Sequence, residues 1–323
     1  MCNITLAKTA GFCFGVDRAI KLIEKLLSEG KKVATLGPII HNPQVIEDFK
    51  NRGVDIVEHP SEVKDGAILV LRTHGVTEDV LEEVKRSGVE FIDAACPFVN
   101  KIHKIVRDNS DENKVTIILG DPSHPEVHGI KSCAKGEAYV VKDSTELEEL
   151  LQKNNLFSEK ELILVEQTTF SVKEWEKSLK KVNLLCTNAK IFDTICSVTE
   201  LRQTEAEELS KNCDFMIVIG GRDSSNTEKL YSICKYNCPR TVRIEDPCEL
   251  VSNKLIPQNI RAAGIAAGAS TPSGAIQEVY KTMSEISFEQ MLDSTPIKTL
   301  NTGDTVKGIV TFVSDSEIQL DLG

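Results

Sequence analysis

No apolar run in this 323-residue chain approaches the roughly 20 residues that a membrane-spanning helix needs. The opening MCNITLAKTAGF has no apolar core behind basic residues, so no secretory signal is expected, and a cytoplasmic location is. Basic residues are outnumbered: 38 Lys and Arg against 49 Asp and Glu give a net charge of -11. That balance argues against general binding to nucleic acid or membrane surfaces and leaves room for a local basic pocket. No low-complexity linker interrupts the first 280 residues. Ten cysteines are present, yet they do not cluster as zinc ribbons do. Only Cys234 and Cys238 lie close, as C-x3-C, and YSICKYNCP lacks the third cysteine of a radical-type iron–sulfur motif. In a reducing compartment, metal or redox chemistry accounts for cysteines better than a disulfide framework does. The Cys234–Cys238 pair reads as structural, and Cys133, Cys186, Cys213 and Cys248 read as small buried hydrophobes. Cys2 reads as a terminal bystander.

What is present is ordinary for a cored protein of two or three domains: 41% hydrophobic and 27% charged residues. Short apolar runs alternate with amphipathic stretches of helix length, which implies βαβ units and an α/β fold. The runs include KVATLG, AILVLR, VEFIDA, VTIILG, ELILVE, AKIFDT, FMIVIG and AAGIAAG. FGVDRAIKLIEKLLSEG is expected to be a helix closing on a glycine. SVKEWEKSLKKV opens with the capping-box spacing Ser171 to Glu174.

Ligands of open α/β sheets bind beyond the carboxyl ends of strands, beside helix N-termini. Here Cys13, Cys96 and Cys196 follow ITLAKTAGF, VEFIDAA and AKIFDTI. His41, His74 and His124 follow KVATLGPII, AILVLRT and VTIILGDPS. The remaining strands deliver Thr168, the triplet Ser224, Ser225 and Asn226, and Ser270. Alone, Ser224 or Ser270 reads as a helix cap; the whole set reads as a site. The three cysteines are 83 and 100 residues apart, from 13 to 96 and from 96 to 196. That spacing implies three similar α/β lobes with mainly parallel sheets around a pseudo-threefold axis, each giving one thiolate to a central metal. An iron–sulfur cluster with one open iron suits three thiolates, and zinc with an open position is the alternative. GDPSHPEVHG, with His124, Glu126 and His128 in ten residues, is either a polar turn or part of the reaction centre.

The motifs GFCFGVDRAI, GPIIHNPQV, THGV, DAACPFV, HPEVHG, EQTTFS, DTIC, RQTEAEEL, GGRDSSNTEKL and AGASTP, in this order, resemble the LytB family of 4-hydroxy-3-methylbut-2-enyl diphosphate reductases. The resemblance covers roughly residues 3 to 283. It implies a reductase domain over 1–283, with lobes near 14–96, 97–193 and 194–283 around a central [4Fe-4S] cluster held by Cys13, Cys96 and Cys196. It implies substrate binding by His41, His74, His124, Thr168, Ser224, Ser225, Asn226 and Ser270. Glu126 is implied as the proton-delivering acid, paired with His124, and Thr168 as the residue ordering the water and hydroxyl network. The implied reaction is reductive dehydroxylation of the allylic diphosphate to isopentenyl and dimethylallyl diphosphate, the last step of the non-mevalonate pathway. Electrons would come from a carrier such as ferredoxin or flavodoxin.

The chain departs from the family's usual histidine and glycine at Asp121 and Ser123, where Asp121 is expected to cap the turn. The site histidines are expected to exchange protons near neutral pH. His59, His103 and His128 match no motif position, though His128 lies one helical turn beyond His124.

Residues 284–323 differ in character. LNTGDTVKGIVTFVSDSEIQLDLG alternates apolar and polar residues around a turn at VSDSE. It resembles the first hairpin of the OB-type RNA-binding domain repeated in a small-subunit ribosomal protein. An OB barrel needs five strands and only two are readable, so RNA binding by this stretch is not expected. A second reading of the whole chain is a non-catalytic cluster- or zinc-binding regulatory module associated with RNA. That module would need neither a diphosphate pocket nor a proton donor.

Overall fold

The computed structural model describes residues 2–153, 160–294, 305, 307–314 and 317–321. Residues 2–284 and residues 285–323 fall into separate compact units. Strand β1 (Asn3–Leu6) and helix α1 (Phe14–Ser28) open the chain. A first run then holds β2 (Lys32–Leu36), α2 (Pro43–Asn51), β3 (Asp55–Val57), β4 (Ala67–Leu71), α3 (Glu78–Ser87) and β5 (Phe91–Asp93). The second holds α4 (Pro97–Asn109), β6 (Lys114–Leu119), α5 (Pro125–Ser132), β7 (Glu137–Val141), α6 (Ser144–Lys153), β8 (Glu161–Glu166), α7 (Val172–Leu185) and β9 (Ala189–Ile191). The third holds α8 (Ser197–Lys211), β10 (Phe215–Ile219), α9 (Ser225–Asn237), β11 (Thr241–Ile244), α10 (Glu249–Ser252), β12 (Ala262–Ala267) and α11 (Ser273–Ser294).

The strands form three sheets ordered β3-β2-β4-β5, β7-β6-β8-β9 and β11-β10-β12-β1. Every pairing in them is parallel. Each sheet is wound alike: an interior strand, a step out to one edge, a return to the interior, then the opposite edge. In the third sheet that last position is taken by β1, so residues 3–6 complete a sheet whose other strands lie more than 200 positions later. The 194–283 range read for the third lobe therefore lacks its fourth strand. Sequence order hides this, because β1 pairs with the last strand of the unit.

The strands legible as apolar runs are largely the interior ones. β4 and β10 are buried at every residue, and β2, β6, β8 and β12 at all but the first. β3, β7 and β11, the first-edge strands, were not among the expected runs. They are partly exposed, and an edge strand covered on one side keeps too few apolar residues to stand out.

Helix signals hold in part. α1 ends at Ser28 and the chain turns at Gly30, with φ of +70°. At α7 the Ser171 side chain accepts from the Glu174 N–H, but the Glu174 carboxylate accepts from the Ser144 N–H and hydroxyl instead of reaching back. Half of the capping box forms, and the other half ties α7 to α6.

In the second unit β13 (Ile309–Val313) and β14 (Ile318–Asp321) pair antiparallel with a register shift between Val310 and Phe312. Ser314 N–H donates to the Glu317 carbonyl across the expected turn. Ile309, Val310, Phe312, Val313 and Ile318 are exposed. The remaining residues of VSDSE, 315 and 316, lie outside the described set.

Phe215, fully buried at the start of interior strand β10, packs with Ile217, Ile265 and Ile276. Phe215→Ala should lower unfolding free energy by about 3–5 kcal/mol through lost transfer energy and a residual cavity. A urea titration checks this; a loss below about 1 kcal/mol would mean that the third sheet repacks.

Candidate functional site

The three fourth-position strands β1, β5 and β9 lead to Cys13, Cys96 and Cys196, and each cysteine is the N-cap of the next helix, α1, α4 or α8. An N-cap backbone is extended, so its side chain faces the free N–H groups of the first turn. None of the three thiols makes the usual cap hydrogen bond. They converge on one cavity of about 100 Å³. Gly15 permits the approach, because a Cβ there would sit 2.6 Å from the Cys96 Sγ. Burial pushes the thiols of Cys96 and Cys196 up, and neighbouring thiols add to this. The first-turn amides of Phe98 and Val198 oppose it.

The six interior strands deliver the rest. His41 follows β2, His74 follows β4, His124 follows β6 and Thr168 follows β8, while Ser224, Ser225 and Asn226 follow β10 and Ser270 follows β12. All twelve residues singled out in the sequence line the same cavity. The first-edge strands β3, β7 and β11 contribute none.

Glu126 and Thr168 meet at the back of this cavity. The Thr168 N–H donates to Glu126 Oε1 at 2.6 Å and its hydroxyl to Oε2 at 2.9 Å. Glu126 is only 1% exposed. Burial pushes its carboxyl up to about 7, against the two Thr168 hydrogen bonds that favour the anion.

The imidazoles of His41, His74 and His124 pack with ring centres 4.2, 5.3 and 5.4 Å apart. Burial lowers all three. His74 falls well below its usual value, helped by His41, His124 and Arg72; His124 falls to about 4, with Asp121 opposing; His41 is lowered more modestly, with Asp223 opposing. The expected exchange of protons near neutrality is therefore corrected for the rings as they pack here: they are neutral at pH 7. The Glu126 N–H donates to His124 Nδ1 at 3.1 Å, which leaves the proton of a neutral ring on Nε2. His41 Nε2, His74 Nδ1 and Asn226 Nδ2 are buried without a hydrogen-bond partner. Buried polar atoms seldom remain so, and this set suits a polyanion that accepts several hydrogen bonds.

Among the described residues, the histidine trio is the one group of three His, Cys, Asp or Glu side chains whose ligand atoms all lie within 4.8 Å of one another. The thiol sulfurs are spaced more widely. A single tetrahedral zinc would need sulfurs about 3.8 Å apart, so the cysteines fit a multi-iron cluster better.

Beyond the histidines the cavity opens into an outer cleft of about 810 Å³. Arg72, Lys142, Arg222 and Lys229 line it together with Asp121, Asp223 and Glu228. The local basic pocket that the overall charge left room for is met only in part, since three carboxylates share the cleft with its four cations.

Residues not assigned from sequence support the site. Arg202 is buried and donates to the Gly11 and Ala267 carbonyls at 2.6 and 2.9 Å, tying the loop before Cys13 to β12. Its signal was the RQTEAEEL motif, in which it is the lone basic residue. The Glu166 carboxylate accepts from the Thr194 N–H at 2.8 Å and holds the loop that reaches Cys196. The Thr169 hydroxyl donates to that of Ser225 at 3.0 Å, joining the second and third lobes. Asp121 Oδ1 accepts from the Ser123 N–H and hydroxyl at 2.9 and 2.7 Å, the cap geometry expected of that departure. His128 Nε2 lies 2.7 Å from the Pro122 carbonyl and braces the turn, outside the cavity. His59 is exposed. Cys133, Cys234 and Cys238 are buried as expected, Cys186 and Cys213 only partly, and Cys248 is exposed, a correction to its reading as a core residue.

Residues 4–284 match the family model described as LytB protein. A Thermoanaerobacter sp. (strain X514) protein named 4-hydroxy-3-methylbut-2-enyl diphosphate reductase is 43% identical over 86% of this chain and 96% of its own length. The Clostridium tetani protein of that name is 38% identical over 99% of this chain, which spans only 50% of it. A solved structure of the Plasmodium falciparum E-1-hydroxy-2-methyl-but-2-enyl-4-diphosphate reductase superposes with a TM-score of 0.78 at 29% identity, covering 88% of each chain. With its three-lobed parallel architecture and its match over nearly all of residues 2–284, the chain belongs to the LytB family.

Proposed function

We infer that the chain is an iron–sulfur reductase. It removes the allylic hydroxyl of 4-hydroxy-3-methylbut-2-enyl diphosphate to give isopentenyl and dimethylallyl diphosphate, the last step of the non-mevalonate pathway. The observation that carries this reading is one cavity holding three N-cap thiols, a buried carboxyl raised toward neutrality and a cluster of unpaired hydrogen-bond donors. A non-catalytic metal module accounts for the first feature and for neither of the others.

Cys13, Cys96 and Cys196 are assigned as ligands of a [4Fe-4S] cluster, which when bound supplies electrons and a Lewis-acidic iron for the hydroxyl oxygen. His41, His74, His124, Ser224, Ser225, Asn226 and Ser270 are assigned to the diphosphate. The rings donate N–H groups while neutral, and their basicity rises once an anion sits beside them. The N-termini of α5 and α9 face the same anion.

Glu126 supplies the proton that lets the hydroxyl leave as water. Protonated, it donates to the Thr168 Oγ1 at its 2.9 Å separation, and the Thr168 hydroxyl turns its own proton into the cavity. The Thr168 N–H fixes the other carboxyl oxygen, so the acid cannot swing away. Pro125 sets the backbone between His124 and Glu126. Electrons reach the site from an external carrier, for which ferredoxin or flavodoxin are the proposed classes, in the cytoplasm.

Helix α11 runs through the expected boundary at 284 to Ser294, so only the stretch that carries β13 and β14, residues 309–321, is proposed as the first hairpin of an OB-type domain. The antiparallel pair β13–β14 exposes apolar side chains that further strands of a barrel would cover.

Cys96→Ser should lose most of its bound iron and all turnover, since a hydroxyl is a poor ligand for iron–sulfur. Cys234→Ser and Cys238→Ser should match wild type. Anaerobic iron analysis decides it, and full iron content in Cys96→Ser would end the three-ligand assignment. Glu126→Gln should keep its iron and its affinity for inorganic pyrophosphate yet turn over at least ~100-fold more slowly. The acid works only while protonated, and its carboxyl titrates at about 7. Wild-type single-turnover rates should therefore fall as pH rises through neutrality, whereas the residual rate of the variant should not follow that titration; near-normal turnover would return HPEVHG to a polar turn. Ending the chain after Ser294 should leave iron content and turnover unchanged, and loss of either would remove the division between reductase and tail.

A further inference from the structure

We propose that His103 is a positioning residue, its ring setting the spacing between the turn that carries His74 and the helix that carries Glu126. The inference rests on the reductase reading above and concerns a histidine that no motif assigned.

His103 lies on α4, seven residues after Cys96, and is 7% exposed. The edge of its ring enters a slot between two glycines. A Cβ on Gly75 would lie 3.0 Å from Cε1, and one on Gly129 would lie 2.9 Å from Nε2. Gly75 directly follows His74. Gly129 lies on α5, one turn beyond Glu126. The imidazole is thus a spacer between two backbones; it shares the gap at Gly75 with the Val99 side chain, whose Cγ1 would lie 3.3 Å from a Cβ there, and at Gly129 it is the side chain met first.

Two further contacts tie the same elements. The would-be Gly129 Cβ is 3.3 Å from the Val76 carbonyl, and the Glu78 N–H donates to the Ser132 hydroxyl at 3.0 Å. The first-lobe segment 75–78 and α5 therefore meet along a short seam, with His103 between Gly75 and Gly129. Its Nε2 makes no hydrogen bond. Burial and then Arg107 hold the ring neutral, against Glu78 and Asp93. A charged ring would leave a buried cation in the slot, and a six-membered ring would push both backbones outward. Because α4 starts at Cys96, one rigid helix links a cluster ligand, an anion-binding turn and the acid's helix.

A double-mutant cycle tests this on the iron-loaded enzyme. His103→Ala should lower kcat/KM by roughly 10- to 100-fold, the scale of a misplacement near 1 Å. It should also move the pH midpoint of turnover, which Glu126 sets, while iron content stays at the wild-type level. Gly129→Ala should impair turnover too, by driving a methyl into the ring. In the double variant that methyl occupies part of the vacated slot, so kcat/KM should recover to within about tenfold of wild type. Wild-type kcat/KM and pH midpoint in His103→Ala, or a double variant whose loss is the product of the two single losses, would overturn the proposal. Absence of turnover in the wild-type enzyme itself would instead overturn the reductase reading.

Discussion

Placing three thiols at helix N-caps constrains almost everything else in residues 2–284. Cys13, Cys96 and Cys196 have φ and ψ of -79° and 167°, -60° and 135°, and -68° and 131°, all extended, as an N-cap requires. For such residues to share one cavity, three helices must arrive end-on at a single point. Three like-wound parallel sheets satisfy this, since a parallel sheet sends every strand's carboxyl end, and every following helix N-terminus, to one side. The third helix end can arrive only if the third sheet has its fourth strand, so β1 must come from the chain's beginning and close the ring. Arg202 then locks the closure, with its guanidinium on the carbonyls of Gly11 and Ala267.

The same burial acts on the titratable groups in opposite senses. Withdrawing water penalises whichever form is charged, so Glu126 rises to about 7 and His124 falls to about 4. An acid and a set of neutral donors are thereby obtained from one physical cause. Glu166 shows the effect without chemistry of its own. It is fully buried beside Asp193 and rises to about 8, so it stays largely protonated at neutral pH while its carbonyl-like oxygen holds the Thr194 amide. Had it been ionised, the loop reaching Cys196 would rest on a buried charge, a costly support for the proposed ligand.

Much of the site was legible because the chemistry falls where strands end. Interior strands have continuous apolar sequence, and a polar residue within a few positions of each run's end is one the cavity receives: His41, His74, His124, Thr168, Ser224 and Ser270. The cysteines follow weaker strands, yet a lone thiol after a short apolar run is rare enough to notice. Three features were not legible. The edge strands β3, β7 and β11 carry too little apolar signal, the pairing of β1 with β12 leaves no local trace, and the neutrality of the histidines depends on burial that no local pattern encodes. His103 belongs with these, because its neighbours Gly75 and Gly129 are 28 and 26 positions away.

The division of cations between the two halves of the pocket follows from the same electrostatics. A diphosphate carries charge that lysine and arginine would bind most strongly, yet neutral imidazoles, hydroxyls and an amide line the inner cavity beside the thiols. The one guanidinium there, Arg202, is spent on backbone carbonyls. Fixed cations packed among the histidines would be buried and unpaired whenever the anion was absent, at a cost of several kcal/mol each. Neutral donors avoid that cost and become charged only once an anion is present to stabilise the proton. Lys142, Arg222 and Lys229 stand instead in the open outer cleft, where water solvates them between encounters, and Arg72, half-buried beside the histidines, keeps its Nε on the Gly75 carbonyl. In a chain of net charge -11 they would offset the repulsion that an approaching diphosphate otherwise meets, and on the proposed assignment the histidines receive it once it has shed its water.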